Sequence, residues 1–148
     1  MADLSHGLSG NAGEYYVCAE LSRRGFQATL TLRNAEGVDI LATRLNSGRA
    51  ITIQVKTTQG KKPQWVLSEK SEHHHSADFF YVFVRLEEVG TRPIFHIVPS
   101  DAVAKEIKRI HKEWLEGSKK DGSSRKDTSM RRFEDFEGKY LEQWGILG

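Results

Sequence analysis

The alternation of apolar and polar positions is clearest over residues 36–58, EGVDILATRLNSGRAITIQVKTT. On the first arm Asp39, Leu41, Thr43 and Leu45 fall on one parity and Val38, Ile40 and Ala42 on the other. On the second arm Thr52, Gln54 and Lys56 oppose Ile51, Ile53 and Val55. A period of two marks strands with one buried face, so the stretch predicts a hairpin. With Ser47-Gly48 as the central residues of a tight turn, Asn46 pairs with Arg49 and Asp39 with Lys56. Paired residues in an antiparallel ladder share a side. Asp39, Gln54 and Lys56 then lie on one face, with the β-branched residues buried behind them. An acid, an amide oxygen and a lysine grouped in this way suit a divalent metal and a phosphate.

The flanking pattern extends the picture. Residues 9–24 predict an amphipathic helix, with Val17, Leu21 and either Cys18 or Tyr15 at helical spacing and Gly25 as the stop. Residues 26–32 (FQATLTL) predict a strand closed by Arg33-Asn34-Ala35. After the hairpin, 59–63 read as a basic loop and 65–72 as a short irregular or helical connector. The run FFYVFVRL at 79–86 is short, aromatic and β-branched, which predicts a buried central strand. PIFHIV at 93–98 gives another strand. A helix over about 102–115 follows, with Val103, Ile107, Ile110 and Trp114 as its apolar stripe. Residues 116–129 (EGSKKDGSSRKDTS) read as a mobile loop or partly disordered insertion. Residues 131–144 return to helical spacing through Phe133, Phe136, Tyr140 and Leu141. The order of elements predicts a mixed α/β or α+β fold.

Composition narrows the class. At 148 residues and 16.8 kDa the chain is expected to form one domain: a core over about 10–115, the basic loop and a C-terminal helix at 130–144. No apolar run approaches the ~20 residues that span a bilayer, and the start lacks the basic and apolar regions of a secretory signal. One cysteine, Cys18, excludes an internal disulfide framework and fits a reducing cytoplasm. A formal charge of +2 is too small to imply nucleic-acid binding by itself.

Taken in order, Gly13-Glu14, Gly37-Val38-Asp39 and Gln54-Val55-Lys56 resemble the motifs of the PD-(D/E)XK, or restriction-endonuclease-like, nuclease superfamily. The likeness covers about 10–100 and is strongest to small single-domain members such as archaeal Holliday-junction resolvases and a set of bacterial relatives. The resemblance implies a central mixed sheet flanked by helices and a Mg2+- or Mn2+-dependent endonuclease that hydrolyses DNA phosphodiester bonds, resolvase-like and acting as a homodimer. By the same resemblance Asp39 is the principal metal ligand, Gln54 a second ligand and Glu14 an auxiliary one, through water. Lys56 stands beside the attacking water and the scissile phosphate. Gln54 departs from the usual acid; its amide oxygen can coordinate a hard cation but brings no charge, so metal is held more weakly. The alternative is therefore a catalytically weak or inactive nuclease-fold module that binds nucleic acid or protein. Lys61 and Lys62 past the hairpin, and Arg23 and Arg24 at the first helix end, are candidates for contact with neighbouring phosphates.

Each of these residues also has a plainer reading. Asp39 can be a turn residue that caps local backbone, and Glu14 a helix acid favoured by the macrodipole. His73-His74-His75 point alternately if extended and read as a polar loop. His96 reads as a strand residue with a satisfied hydrogen bond, and Cys18, Trp65, Trp114 and Trp144 as packing. Of the basic pairs, Lys119-Lys120 and Arg125-Lys126 read as solvated charge, while Arg131-Arg132 can grip a nucleic-acid backbone.

Overall fold

The computed structural model describes residues 3–32 and 36–148; the turn expected at Arg33-Asn34-Ala35 lies outside them. Helix α1 (His6–Arg23) starts three residues before the apolar pattern does, because the Ser5 hydroxyl caps it by accepting the Leu8 N–H. Its Val17 and Leu21 are fully buried, Cys18 packs beside them, and Tyr15 is exposed. Gly25 takes φ 87° and turns the chain into β1 (Phe26–Leu30).

The hairpin forms from β2 (Ile40–Arg44) and β3 (Ala50–Thr58), with a register that differs from expectation. Ile40 faces Ile53 and Ala42 faces Ile51. The Arg44 N–H donates to the Arg49 carbonyl and the Gly48 N–H to the Arg44 carbonyl, each at 2.8 Å. The turn therefore spans four residues, Leu45 to Gly48, instead of two, and the ladder slips by two residues. A slip of two leaves every side chain on the face that the alternation assigns it, whereas a slip of one would invert them all.

Among the described residues, one sheet runs β1-β2-β3-β5-β6, where β5 (Phe79–Arg85) is parallel to β3 and the other neighbours, including β6 (Ile94–Pro99) beside β5, are antiparallel. All but the last residue of β5 are buried, as a strand covered on both faces requires. The strand β6 (Ile94–Pro99) leads into α2 (Ser100–Glu116), whose Val103 and Ile107 are buried while Trp114 stays 38% exposed. The sheet separates two cores. One packs α1 against Ile40, Ile51, Ile53, Val82 and Ile97. The other packs α2 against Phe79, Tyr81, Phe83 and Val98. No described helix is long and apolar enough to cross a membrane.

Two segments depart from their predicted form. The connector at 65–72 is a strand, β4 (Gln64–Ser68), followed by a 3-10 turn (Glu69–Glu72). The C-terminal helix expected at 130–144 is absent: β7 (Met130–Glu134) pairs antiparallel with β4, and the chain then turns repeatedly to a 3-10 turn at Trp144–Leu147. Helical spacing misled because the inward residues of β7 are Arg131 and Phe133, a period of two too short to stand out. Asp135 then accepts the Lys139 and Tyr140 N–H groups at 2.9 Å, and Gly138 takes φ 70°, which together replace a helix by turns. The segment covers the open edge of β6, with Ile97 N–H donating to Tyr140 and Glu142 N–H to Phe95. Buried His96 meets Asp135 through Nδ1 at 2.7 Å, while its Nε2 has no described partner. Residues 117–129 form the expected loop, tied down where Arg125 donates to the Trp114 carbonyl and His111 meets Asp127.

Candidate active site

The strands β2 and β3 separate at a fork, and the candidate site is built there. β3 is nine residues long, but β2 pairs only with its first part, Ala50–Ile53. The Thr31 hydroxyl, donating to the Val38 carbonyl at 2.6 Å, and the Asp39 N–H, donating to the Ile53 carbonyl at 2.9 Å, fix the chain where it leaves the ladder. Beyond that point the Val55 N–H has lost its strand neighbour, and Asp39 Oδ2 accepts it at 2.7 Å. A buried N–H must find a partner, and a carboxylate is a strong one. The Asp39 carboxylate thus substitutes for a strand and is held at the fork by the same bond.

Gln54 and Lys56 flank Val55 and share the opposite parity. They lie beside Tyr81 and Phe83 across the parallel ladder, on the face of the second core. With Ile40 opposite Ile53, Asp39 neighbours Gln54, and Lys56 lies one step beyond. Burial raises the Asp39 carboxyl above its ordinary range, against the opposing pull of the Val55 N–H and the Lys56 charge. Burial likewise lowers the Lys56 ammonium, with Asp39 opposing. Each is the other's nearby counter-charge, and two open hollows adjoin Gln54 and Lys56. Gln54 lines one of about 600 Å³ with Glu36, Gly37, Ser71 and His74. Lys56 lines the other, of about 750 Å³, with Lys61, Lys62, Gln64 and Arg132.

The remaining predicted site residues divide. Lys61 and Lys62 stand in the same hollow as Lys56. Arg23 and Arg24 lie at the far end of α1, where Arg24 is engaged by Glu20 and stacks 4.4 Å from the centre of the Trp144 ring. Glu14 belongs to the helix on the opposite side of the sheet, and its charge helps raise the half-buried Cys18 thiol, behind the larger effect of burial. That helix reaches the site end of β3 through Gly13: a Cβ there would sit 1.9 Å from Thr57 Oγ1. Glycine lets the helix touch the strand one residue past Lys56. Arg131 is not a surface grip, since it is 7% exposed and paired with Glu72 at 2.6 Å; Arg132 alone of that pair reaches the hollow. The polar histidine loop sets His74 in the other hollow, with Gln54, its ring 4.8 Å from Phe79. The sequence offers Arg131-Arg132 as a grip on a nucleic-acid backbone, but its spacing neither separates the two nor places Arg132 and His74 beside these hollows, because the strands and loops that bring them in are distant along the chain.

Among the described residues no three His, Cys, Asp or Glu side chains form a metal-binding group. The fork offers one carboxylate with a neighbouring amide oxygen, two hard donors. That set fits a largely hydrated Mg2+ or Mn2+, which takes one or two carboxylates and fills its shell with water and phosphate.

No protein-family model and no curated protein matches the sequence. Solved structures do match. A bacterial homing endonuclease aligns over 97% of this chain and 91% of its own, with a TM-score of 0.57 and 16% identity. Hjc, a Holliday junction resolvase from the archaeal hyperthermophile Archaeoglobus fulgidus, aligns over 94% of this chain and all of its own, with a TM-score of 0.50 and 16% identity. The chain has the restriction-endonuclease-like fold of these nucleases.

Proposed function

We propose that the protein is a metal-dependent endonuclease that hydrolyses DNA phosphodiester bonds. The observation that carries this reading is the fork, where a carboxylate pinned by the Val55 N–H adjoins an amide and a half-buried lysine. Asp39 and Gln54 are the oxygen donors that would hold Mg2+ or Mn2+. A divalent ion bound there would neutralise phosphate charge and supply a water acidic enough to attack near neutral pH. Lys56 donates to the phosphate oxygens as negative charge develops on them, in a half-buried setting that strengthens the interaction. Lys61 and Lys62 neutralise the neighbouring backbone in the adjoining hollow. The likeness in fold to a homing endonuclease and to a Holliday junction resolvase supports DNA as the substrate, and a homodimer would present two such sites to two strands.

Gln54 favours a second reading, in which the same face binds nucleic acid without cutting it, since a neutral donor holds metal less firmly. The test is cleavage of linear, branched and single-stranded DNA with Mg2+ or Mn2+, with Asp39→Asn alongside. Cleavage lost in the variant supports the enzyme. DNA affinity that falls steeply with salt, without cleavage in any metal, supports the binding module instead.

A further inference from the structure

The β4–β7 ribbon carries a face that folding does not use. Trp65, Leu67, Arg131 and Phe133 point inward, while Val66, Ser68, Met130 and Arg132 are exposed. Val66 is 61% and Met130 55% exposed, and the ladder sets Val66 opposite Arg132 and Gln64 opposite Glu134. The Arg132 guanidinium is half-exposed, with Glu134 at a loose 3.7 Å. The inner face fixes the ribbon firmly. Trp65 Nε1 donates to the Val84 carbonyl at 3.0 Å, the Phe133 and Phe83 rings stack at 4.4 Å, and Arg131 is bound to Glu72. Gln64, Val66 and Arg132 line the hollow that holds Lys56, with Lys61 and Lys62 just before β4. A rigid, partly apolar face thus adjoins the candidate site and is flanked by cations.

Resting on the nuclease reading, we propose that this ribbon enters the major groove of duplex DNA beside the scissile phosphate and reads bases there, with Arg132 as the principal reader. The dimensions fit. The major groove, about 12 Å wide, admits a two-stranded ribbon. Five residues at ~3.4 Å each span ~17 Å, about five base pairs at ~3.4 Å. The chemistry fits as well. Arginine forks onto guanine O6 and N7, glutamine onto adenine N6 and N7, and methyl-bearing side chains pack on the thymine methyl. A surface meant for phosphates alone has no use for exposed Val66 and Met130, whereas base edges give them a partner. The lysines on the loop before β4 complement the phosphates that border the groove.

The test is binding of the full chain, in metal-free buffer, to duplexes with a randomised core, read by sequencing the bound fraction. The expected result is a guanine preference at one position, about 5- to 150-fold over the least favoured base. Arg132→Lys should flatten that position by weakening the guanine-bearing duplexes while leaving the salt dependence unchanged, because the charge stays and the fork is lost. An unenriched library overturns the proposal. So does an Arg132→Lys variant with an unaltered profile, or an Arg132→Ala variant that weakens all sequences equally and lowers the salt slope by about one, as a phosphate contact would. Cleavage without base preference refutes the ribbon and leaves the nuclease standing. Selective binding by a chain that never cuts refutes the nuclease and leaves the ribbon.

Discussion

Replacing Asp39 tests the fork in two ways at once. Asp39→Ala removes the proposed metal donor and also the acceptor of the Val55 N–H; Asp39→Asn removes the charge but leaves an oxygen in place for that bond. Both variants relieve the cost of a desolvated carboxylate, so comparing them with each other cancels that gain and isolates the acceptor. A half-buried N–H left without a partner costs about 1–3 kcal/mol. At ~2–4 °C per kcal/mol for a chain of this size, Asp39→Ala should melt roughly 2–12 °C below Asp39→Asn. Calorimetry without metal reads the difference. Metal adds the second comparison: Mg2+ at ten times its Kd should stabilise the native chain by about 1.4 kcal/mol and neither variant at all. Equal melting of the two variants would refute the structural role given to the carboxylate. An Asp39→Asn chain that still cleaves DNA would refute its metal role.

Gln54→Glu places a second carboxylate beside Asp39 and should tighten Mg2+ by about tenfold or more while lowering stability without metal through like-charge repulsion; calorimetric titration that finds unchanged affinity removes Gln54 from the ligand set. Gly13→Ala ordinarily strengthens a helix by about 1 kcal/mol, but here the new methyl meets Thr57 Oγ1, so a net loss of about 1–3 kcal/mol is expected in urea unfolding, relieved by Thr57→Ala. Burial holds His96 below the ordinary imidazole range despite the pull of Asp135, with Glu142 assisting and Arg85 opposing. Its contribution is therefore intact above about pH 6.5 and is lost as pH falls toward its folded value. His96→Gln should flatten that acid-side decline in urea midpoints, and a native curve level across that range would refute the assignment.

What could be read along the chain was what short range determines. Alternation over residues 36–58 assigned Asp39, Gln54 and Lys56 to one face even though the assumed turn was two residues too short, because faces depend on parity and register on loop geometry. Pairings between distant segments left no such mark. β4 finds its partner in β7 across most of the second half of the chain, so each alone resembled something else. Arg24 looked available for phosphate because nothing nearby in sequence announces Trp144, the ring it stacks on.

The fork itself explains why the site was only half legible. The alternation identified which side chains share a face, but the chemistry depends on β2 stopping at Ile40 while β3 runs on to Thr58. That mismatch leaves the Val55 N–H without a strand partner, and Asp39 is both the residue that satisfies it and the carboxylate proposed to hold metal. The plainer reading of Asp39 as a backbone cap and the reading as a ligand therefore describe one arrangement. Oδ2 holds the side chain in place, and on the nuclease proposal the rigidity so obtained is what a single-carboxylate site would need, since its neighbour Gln54 would contribute no charge to hold the ion.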